Sequence, residues 1–240
     1  MSVRLRNAIQ ALPEYDPRDL SDDGIVVRLH RNEAALPPPD FVLDAMRNLD
    51  GERLRTYPTA LQWEVIELLG QRFGRDAARI VLGAGADELL AACARIALDR
   101  DDTALSVAPS FGMYSRVAAI AGARLRRVPY ETRWRFDARA FIDAADTSTR
   151  LVILGHPNNP TTDELRPADL AAVARALPAT LILVDEVYLA FSARSLANEA
   201  LALPNVVVVG SNPITRSPVR SFPWAKQQAF PKHAFAEQFP

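Results

Sequence analysis

Four short runs in this 240-residue chain join turn-forming residues to groups that can bind or ionise. In Gly83-Ala-Gly-Ala-Asp-Glu, glycines permit a sharp turn, and free N–H groups at a following helix start can hold a phosphate dianion. An ordinary strand-to-helix turn would use the same residues. Pro109-Ser-Phe-Gly-Met-Tyr offers Phe111, a ring able to stack on a flat ligand or to sit in the core beneath a helix. His156-Pro-Asn-Asn-Pro-Thr sets prolines on both sides of two amides. A loop stiffened in that way can aim Asn159 at a ligand oxygen, or be a simple turn. Asp185-Glu-Val-Tyr follows Leu-Ile-Leu-Val, and an aspartate at the end of a buried strand costs desolvation unless it is paired. Its partner could be Mg²⁺, a cationic substrate or a protonated heterocycle, with Tyr188 three positions on placed to work beside it. A helix-capping aspartate is the structural alternative.

The elements that must position these runs follow from punctuation and periodicity. Pro37-Pro38-Pro39 stops whatever precedes it, and Asp40 can cap a helix over residues 40–48. Thr59 can cap the next helix, in which Leu61, Val65, Leu68 and Leu69 share a face and which Gly74 ends. From residue 80 the pattern alternates. Strands are expected at 80–82, 103–108, 124–129, 151–155, 181–185 and 206–209, and helices at 87–98, 110–121 and 167–177. Strands that are apolar throughout, in strand–helix order, imply a mostly parallel sheet covered on both faces: an α/β fold of three layers, α/β/α. Ligands in such sheets sit at the carboxyl ends of strands, and the four runs fall at those ends.

Composition removes several function classes. Lys+Arg 28 against Asp+Glu 29 leaves no strongly basic surface for nucleic acid or anionic membranes. Cys93 is the single cysteine, which excludes an intramolecular disulfide and a multi-cysteine zinc site, and the three histidines are far apart, so no metal site is expected. The first residues contain no apolar signal core, and no apolar run approaches the ~18 residues of a membrane span, so the expected compartment is the reducing cytoplasm.

Taken in order at successive strand ends, the four runs resemble the fold-type I pyridoxal-phosphate aminotransferases of class I/II, most nearly the histidinol-phosphate aminotransferases. The resemblance runs from Leu29-His-Arg-Asn-Glu and Tyr57-Pro58 to about Ser211. It implies pyridoxal 5'-phosphate as cofactor. The backbone N–H groups around Ala86 and Asp87 would bind its phosphate, and Phe111 would stack on its ring. Asn159 and Tyr188 would bond the phenolic oxygen, and Asp185 would pair with the protonated ring nitrogen. Tyr57 would reach the phosphate in the partner subunit of a homodimer. The substrates implied are a small-molecule amino donor and a 2-oxo acid. The expected organisation is an N-terminal arm (1–39), an incomplete cofactor-binding large domain (40–210) and an aberrant tail (211–240). A nucleotide-binding doubly wound domain would use the Gly83 turn, but leaves Asn159, Asp185 and Tyr188 together unexplained.

The departures from the family pattern are specific. Thr162 stands where the family loop has glycine, and Ala86 where serine is common. The family's Schiff-base lysine follows the strand after Asp185 in a Ser-Lys run, whereas Val206-Val-Val-Val-Gly-Ser leads here into Asn212-Pro-Ile-Thr. The tail holds five of the 18 prolines, none of the ten glycines, and the only lysines of the chain, Lys226 and Lys232. It is too poor in apolar residues to predict strands or helices with a buried face, and it is expected to be disordered. No catalytic residue is therefore assigned, the C-terminal small domain of the family is expected to be missing, and a reading-frame or truncation artefact near residue 211 is the expected cause.

Overall fold

The structure, a computed structural model, describes residues 6–12, 37–57, 59–130, 134–192, 194–212 and 233–237. Most of the expected arm, with Leu29-His-Arg-Asn-Glu, and Pro58 lie outside them. The helices are α1 (Asn7–Gln10), α2 (Asp40–Arg47), α3 (Gly51–Arg55), α4 (Thr59–Phe73), α5 (Ala86–Ala97), α6 (Met113–Ala121), α7 (Ala138–Asp143), α8 (Pro167–Ala176) and α9 (Ala197–Ala200). The strands are β1 (Ile80–Gly83), β2 (Thr103–Ala108), β3 (Arg124–Pro129), β4 (Thr149–Gly155), β5 (Leu181–Glu186), β6 (Val206–Asn212) and β7 (His233–Glu237). Among the described residues these strands form one sheet in the order β1-β7-β6-β5-β4-β2-β3. Strands β2 to β6 pair in parallel, and β7 runs antiparallel to both its neighbours, β1 and β6. The expected mostly parallel α/β sheet is thus present.

Period-two alternation splits the apolar strands between two cores. Val152, Leu154, Ile182 and Val184 face α7, α8 and α9, while Leu151, Ile153 and Leu183 face α5 and α6. Each of these seven is 2% exposed or less, and a fully buried side chain of this size contributes about 1.5–3 kcal/mol. The helices make the third element of the sandwich: Leu170 and Val173 of α8 close one face, Leu90 and Val117 of α5 and α6 the other.

Several local expectations are corrected. Asp40 is the first helical residue of α2, whose cap is Pro39; Thr59 opens α4, its side chain outside the described ones. In α4 the described side chains packed with Ile80 of β1 are Val65, Ile66 and Leu69, whereas Leu68 is 38% exposed; the side chain of Leu61 lies outside the described ones. The helix expected from 110 starts at Met113, since Ser110 is drawn into a hydrogen bond to Asn158 of a neighbouring loop. The tail, expected to form no strand, supplies β7: Asn212 pairs with His233, and Ile80 with Glu237, so backbone bonds seat this segment between two strands. Residues 213–232 and 238–240, Lys226 and Lys232 among them, lie outside the described residues.

Candidate functional site

The carboxyl ends of β1, β2, β4 and β5 bring the four runs to one edge of the sheet. After β1 the backbone turns through Gly85, whose φ of 137° is a conformation that an L side chain rarely adopts; open space around it leaves conformation as the only demand for glycine. Helix α5 starts at the next residue. The first N–H groups of a helix, here those of Ala86 and Asp87, have no intrahelical carbonyl to bond. The Ala84 N–H just before them donates to the Glu88 carboxylate, which fixes the turn.

After β2, half-buried Phe111 meets Tyr114 edge-on, with ring centroids 5.8 Å apart and planes at 90°. After β4, the two adjacent amides have different tasks. Asn158 is 3% exposed; its Nδ2 donates to the Pro109 carbonyl at 3.1 Å and to Thr161 Oγ1 at 2.8 Å, and its Oδ1 accepts from Ser110 Oγ at 2.6 Å. It stitches the β2 and β4 loops together. Asn159 is half-buried at the apex and makes no hydrogen bond among the described residues. Thr162 takes φ 59°, the left-handed region that suits the glycine it replaces, and donates its N–H to the Asn158 carbonyl at 2.7 Å. The loop keeps that backbone at the cost of a strained β-branched residue.

At the end of β5, Asp185 is 6% exposed. Its Oδ2 accepts from the Tyr114 hydroxyl at 2.8 Å and its Oδ1 from the Val187 N–H at 3.1 Å. Burial, ahead of all other causes, raises the carboxyl to about 6; the two hydrogen bonds act the other way, and Asp87 nearby adds to the rise. Burial and the neighbouring carboxylate likewise push the Tyr114 hydroxyl well up. Gly155, the register partner of Asp185, leaves the space that Asn158 occupies. A Cβ there would lie 2.9 Å from Asn158 Cα, 3.0 Å from Asn158 Oδ1 and 3.4 Å from the Tyr114 hydroxyl. Tyr188 follows in the next turn, its ring 6.4 Å from that of Phe191.

Two further buried polar groups hold that turn. His156, 0% exposed, accepts the Leu165 N–H on Nδ1 at 3.1 Å, so its Nε2 donates to the Arg194 carbonyl at 3.0 Å. Burial lowers its pKa, in keeping with a neutral ring. Glu186 accepts from Ser195 Oγ at 2.7 Å and from the Leu196 N–H at 2.6 Å.

The structure therefore gathers Ala86, Asp87, Phe111, Asn159, Asp185 and Tyr188 at one edge. Tyr57 stands apart, 92% exposed just after α3. Sequence reasoning missed Tyr114, Asn158 and Gly155. Spacing held a signal for the first: Tyr114 is three residues after Phe111, across the turn that leads into α6. Among the described residues no group of three or more His, Cys, Asp or Glu is placed to hold a metal ion, and no helix is long and apolar enough to cross a membrane.

Comparison with known proteins places this geometry. The family model described as aminotransferase class I and II matches residues 24–212. Histidinol-phosphate aminotransferase from Symbiobacterium thermophilum is 33% identical over 214 residues, which cover 85% of this chain and 59% of that protein. The protein of the same name from Maricaulis maris is 34% identical, over 80% of this chain and 53% of its own length. The crystal structure of histidinol-phosphate aminotransferase from Sinorhizobium meliloti in complex with pyridoxal-5'-phosphate superposes with a TM-score of 0.78 at 25% identity, covering 99% of this chain and 63% of that one. The chain thus spans little more than half the length of the curated relatives it matches. With matching residues that run through all four strand-end loops, the chain belongs to the class I and II aminotransferase family.

Proposed function

We propose that this chain is the cofactor-binding part of a pyridoxal 5'-phosphate-dependent aminotransferase of the histidinol-phosphate type. The observation that carries the reading is Asp185. A carboxylate buried to 6% exposure with two neutral donors is costly on its own, and a protonated pyridine nitrogen is the partner that would repay its desolvation. The residues around it fit the rest of such a cofactor. The free N–H groups of Ala86 and Asp87 at the start of α5 suit its phosphate. Phe111 offers a ring to stack on, and Asn159 and Tyr188 offer groups for the ring oxygen. When bound, the cofactor supplies an electron-accepting ring and a carbonyl carbon that takes up an amino group. The protein's part is to hold the ring nitrogen charged through Asp185 and to fix the ring's orientation.

The substrates of the whole enzyme are, on this reading, an amino donor such as an amino phosphate ester and a 2-oxo acid. Two copies pair, with Tyr57 reaching the partner's phosphate site; the exposed Phe41, Met46, Leu54, Tyr57 and Trp63 of the α2–α4 region support such a face. A single buried Cys93 suits a cytoplasmic protein. The absence of a Ser-Lys run after β6 favours a second reading beside the first: the chain binds cofactor or dimerises without turnover, as a non-enzymatic fragment of an aminotransferase.

Titration of the purified chain with pyridoxal 5'-phosphate, followed by absorbance and tryptophan fluorescence, tests both. Saturable binding that weakens at least about tenfold in Asp185→Asn is expected, from loss of a charge-assisted bond. Equal binding by wild type and variant overturns the assignment. A borohydride-fixed link to Lys226 or Lys232, found by peptide mapping, overturns the reading without turnover.

A further inference from the structure

Tyr114 has no part in the reading above, yet it touches both walls of the proposed ring site. It is 2% exposed on the first turns of α6. Its ring stands perpendicular to that of Phe111, and its hydroxyl donates to Asp185 Oδ2 at 2.8 Å. Gly155 lies beside it: a Cβ there would stand 3.4 Å from the hydroxyl, in ordinary contact. The bond joins residues 71 apart in sequence, from α6 to β5, so it is no by-product of local geometry.

We propose that Tyr114 is the positioning residue of the site: its hydroxyl donates to Asp185, keeps that side chain ionised at neutral pH and aims the remaining lone pairs of the carboxylate at the ring nitrogen. One oxygen is held by Tyr114 and the other by the Val187 N–H, so the carboxylate has no freedom to rotate. The titratable groups acting on it are Tyr114 from α6 and Asp87 from α5, and those acting on Tyr114 in turn are Tyr188 after β5 and Tyr130 after β3. None of them is a cation. A neutral hydroxyl is thus the side-chain group that favours the charged form, against burial and against Asp87. The proposal rests on the cofactor reading only for what the carboxylate is aimed at.

The test uses the full chain without cofactor. Side-chain carboxyl ¹³C NMR follows the titration of Asp185, its resonance assigned by its disappearance in Asp185→Asn. Tyr114→Phe keeps the ring against Phe111 and removes the hydroxyl alone. The Asp185 midpoint is expected to rise by about one pH unit, the effect of losing one hydrogen bond to the charged form. A merely structural tyrosine would leave the midpoint in place, and an unchanged midpoint overturns the proposal. Should Tyr114→Phe not fold, the Tyr114 Cζ resonance of the wild type decides: it must move with the midpoint of Asp185, and a flat response overturns the proposal. Failure of the wild type to bind pyridoxal 5'-phosphate would sink the cofactor reading while leaving these two results intact.

Discussion

Replacing Asp185 by asparagine removes a charge that the fold must desolvate, so the same change that is expected to weaken cofactor binding should stabilise the cofactor-free chain. Burial lifts the carboxyl from its ordinary 3.8 to about 6. Between those pH values the folded chain holds a proton that the unfolded chain has already lost. The stability this group contributes is therefore complete below about pH 4 and is lost as the pH rises through 6. A displacement of that size is worth roughly 3 kcal/mol. Asparagine has almost the same shape and no such titration; its amide can pair with the Tyr114 hydroxyl and its carbonyl can accept the Val187 N–H. The difference in unfolding free energy, variant minus wild type, should thus grow by about 2–3 kcal/mol between pH 4 and pH 8. Urea unfolding of both proteins across that range measures it, and packing differences that do not depend on pH cancel. A difference constant to within about 0.5 kcal/mol would refute the argument that Asp185 sits ionised against its own burial.

His156 should give the opposite slope. Its lowered pKa means that the unfolded chain takes up a proton first, so this group's stability is present above about pH 6.5 and is lost as the pH falls through it. Protonation would turn Nδ1 toward the Leu165 N–H as a second donor. Because the two slopes oppose each other, the wild-type profile should be flatter than that of Asp185→Asn, and circular dichroism melts from pH 5 to 8 read the comparison directly; an equally flat variant profile contradicts it. Thr162→Gly should raise the urea midpoint, by about 0.5–1 kcal/mol in unfolding free energy, since only glycine accepts φ 59° without strain. A lowered midpoint would mean that the threonine contacts outweigh its backbone.

Much of the sheet was legible because its strands advertise burial. Leu151-Val-Ile-Leu and Leu181-Ile-Leu-Val have no polar face at all, which only a strand covered on both sides tolerates, and both sit where the sequence puts them. The candidate residues stood out by type and by their place after such strands, and the structure sets all of them but Tyr57 at strand ends along one edge of the sheet. The partners that hold them were not. Asn158 and Asn159 are alike in sequence, and which one is buried depends on where the Pro109 carbonyl lies, 49 residues away. Tyr114 reads as one more apolar residue on a helix until the register of β4 and β5 sets Asp185 and Gly155 beside its hydroxyl.

The tail shows where composition misleads. Judged by amphipathic side chains, residues 211–240 have no claim to a strand, yet strand pairing is a backbone matter, and the space between β1 and β6 presents two rows of unpaired N–H and C=O groups. A segment that returns antiparallel from the end of β6 satisfies both rows at once. The consequence reaches the site. The Gly85 turn hangs on β1, and Asp185 hangs on β5; in the sheet order, β7 and β6 are what lie between them. The spacing of the Gly85 turn and Asp185 across the sheet is therefore set by the pairing of β7, a segment whose side chains gave no hint of it.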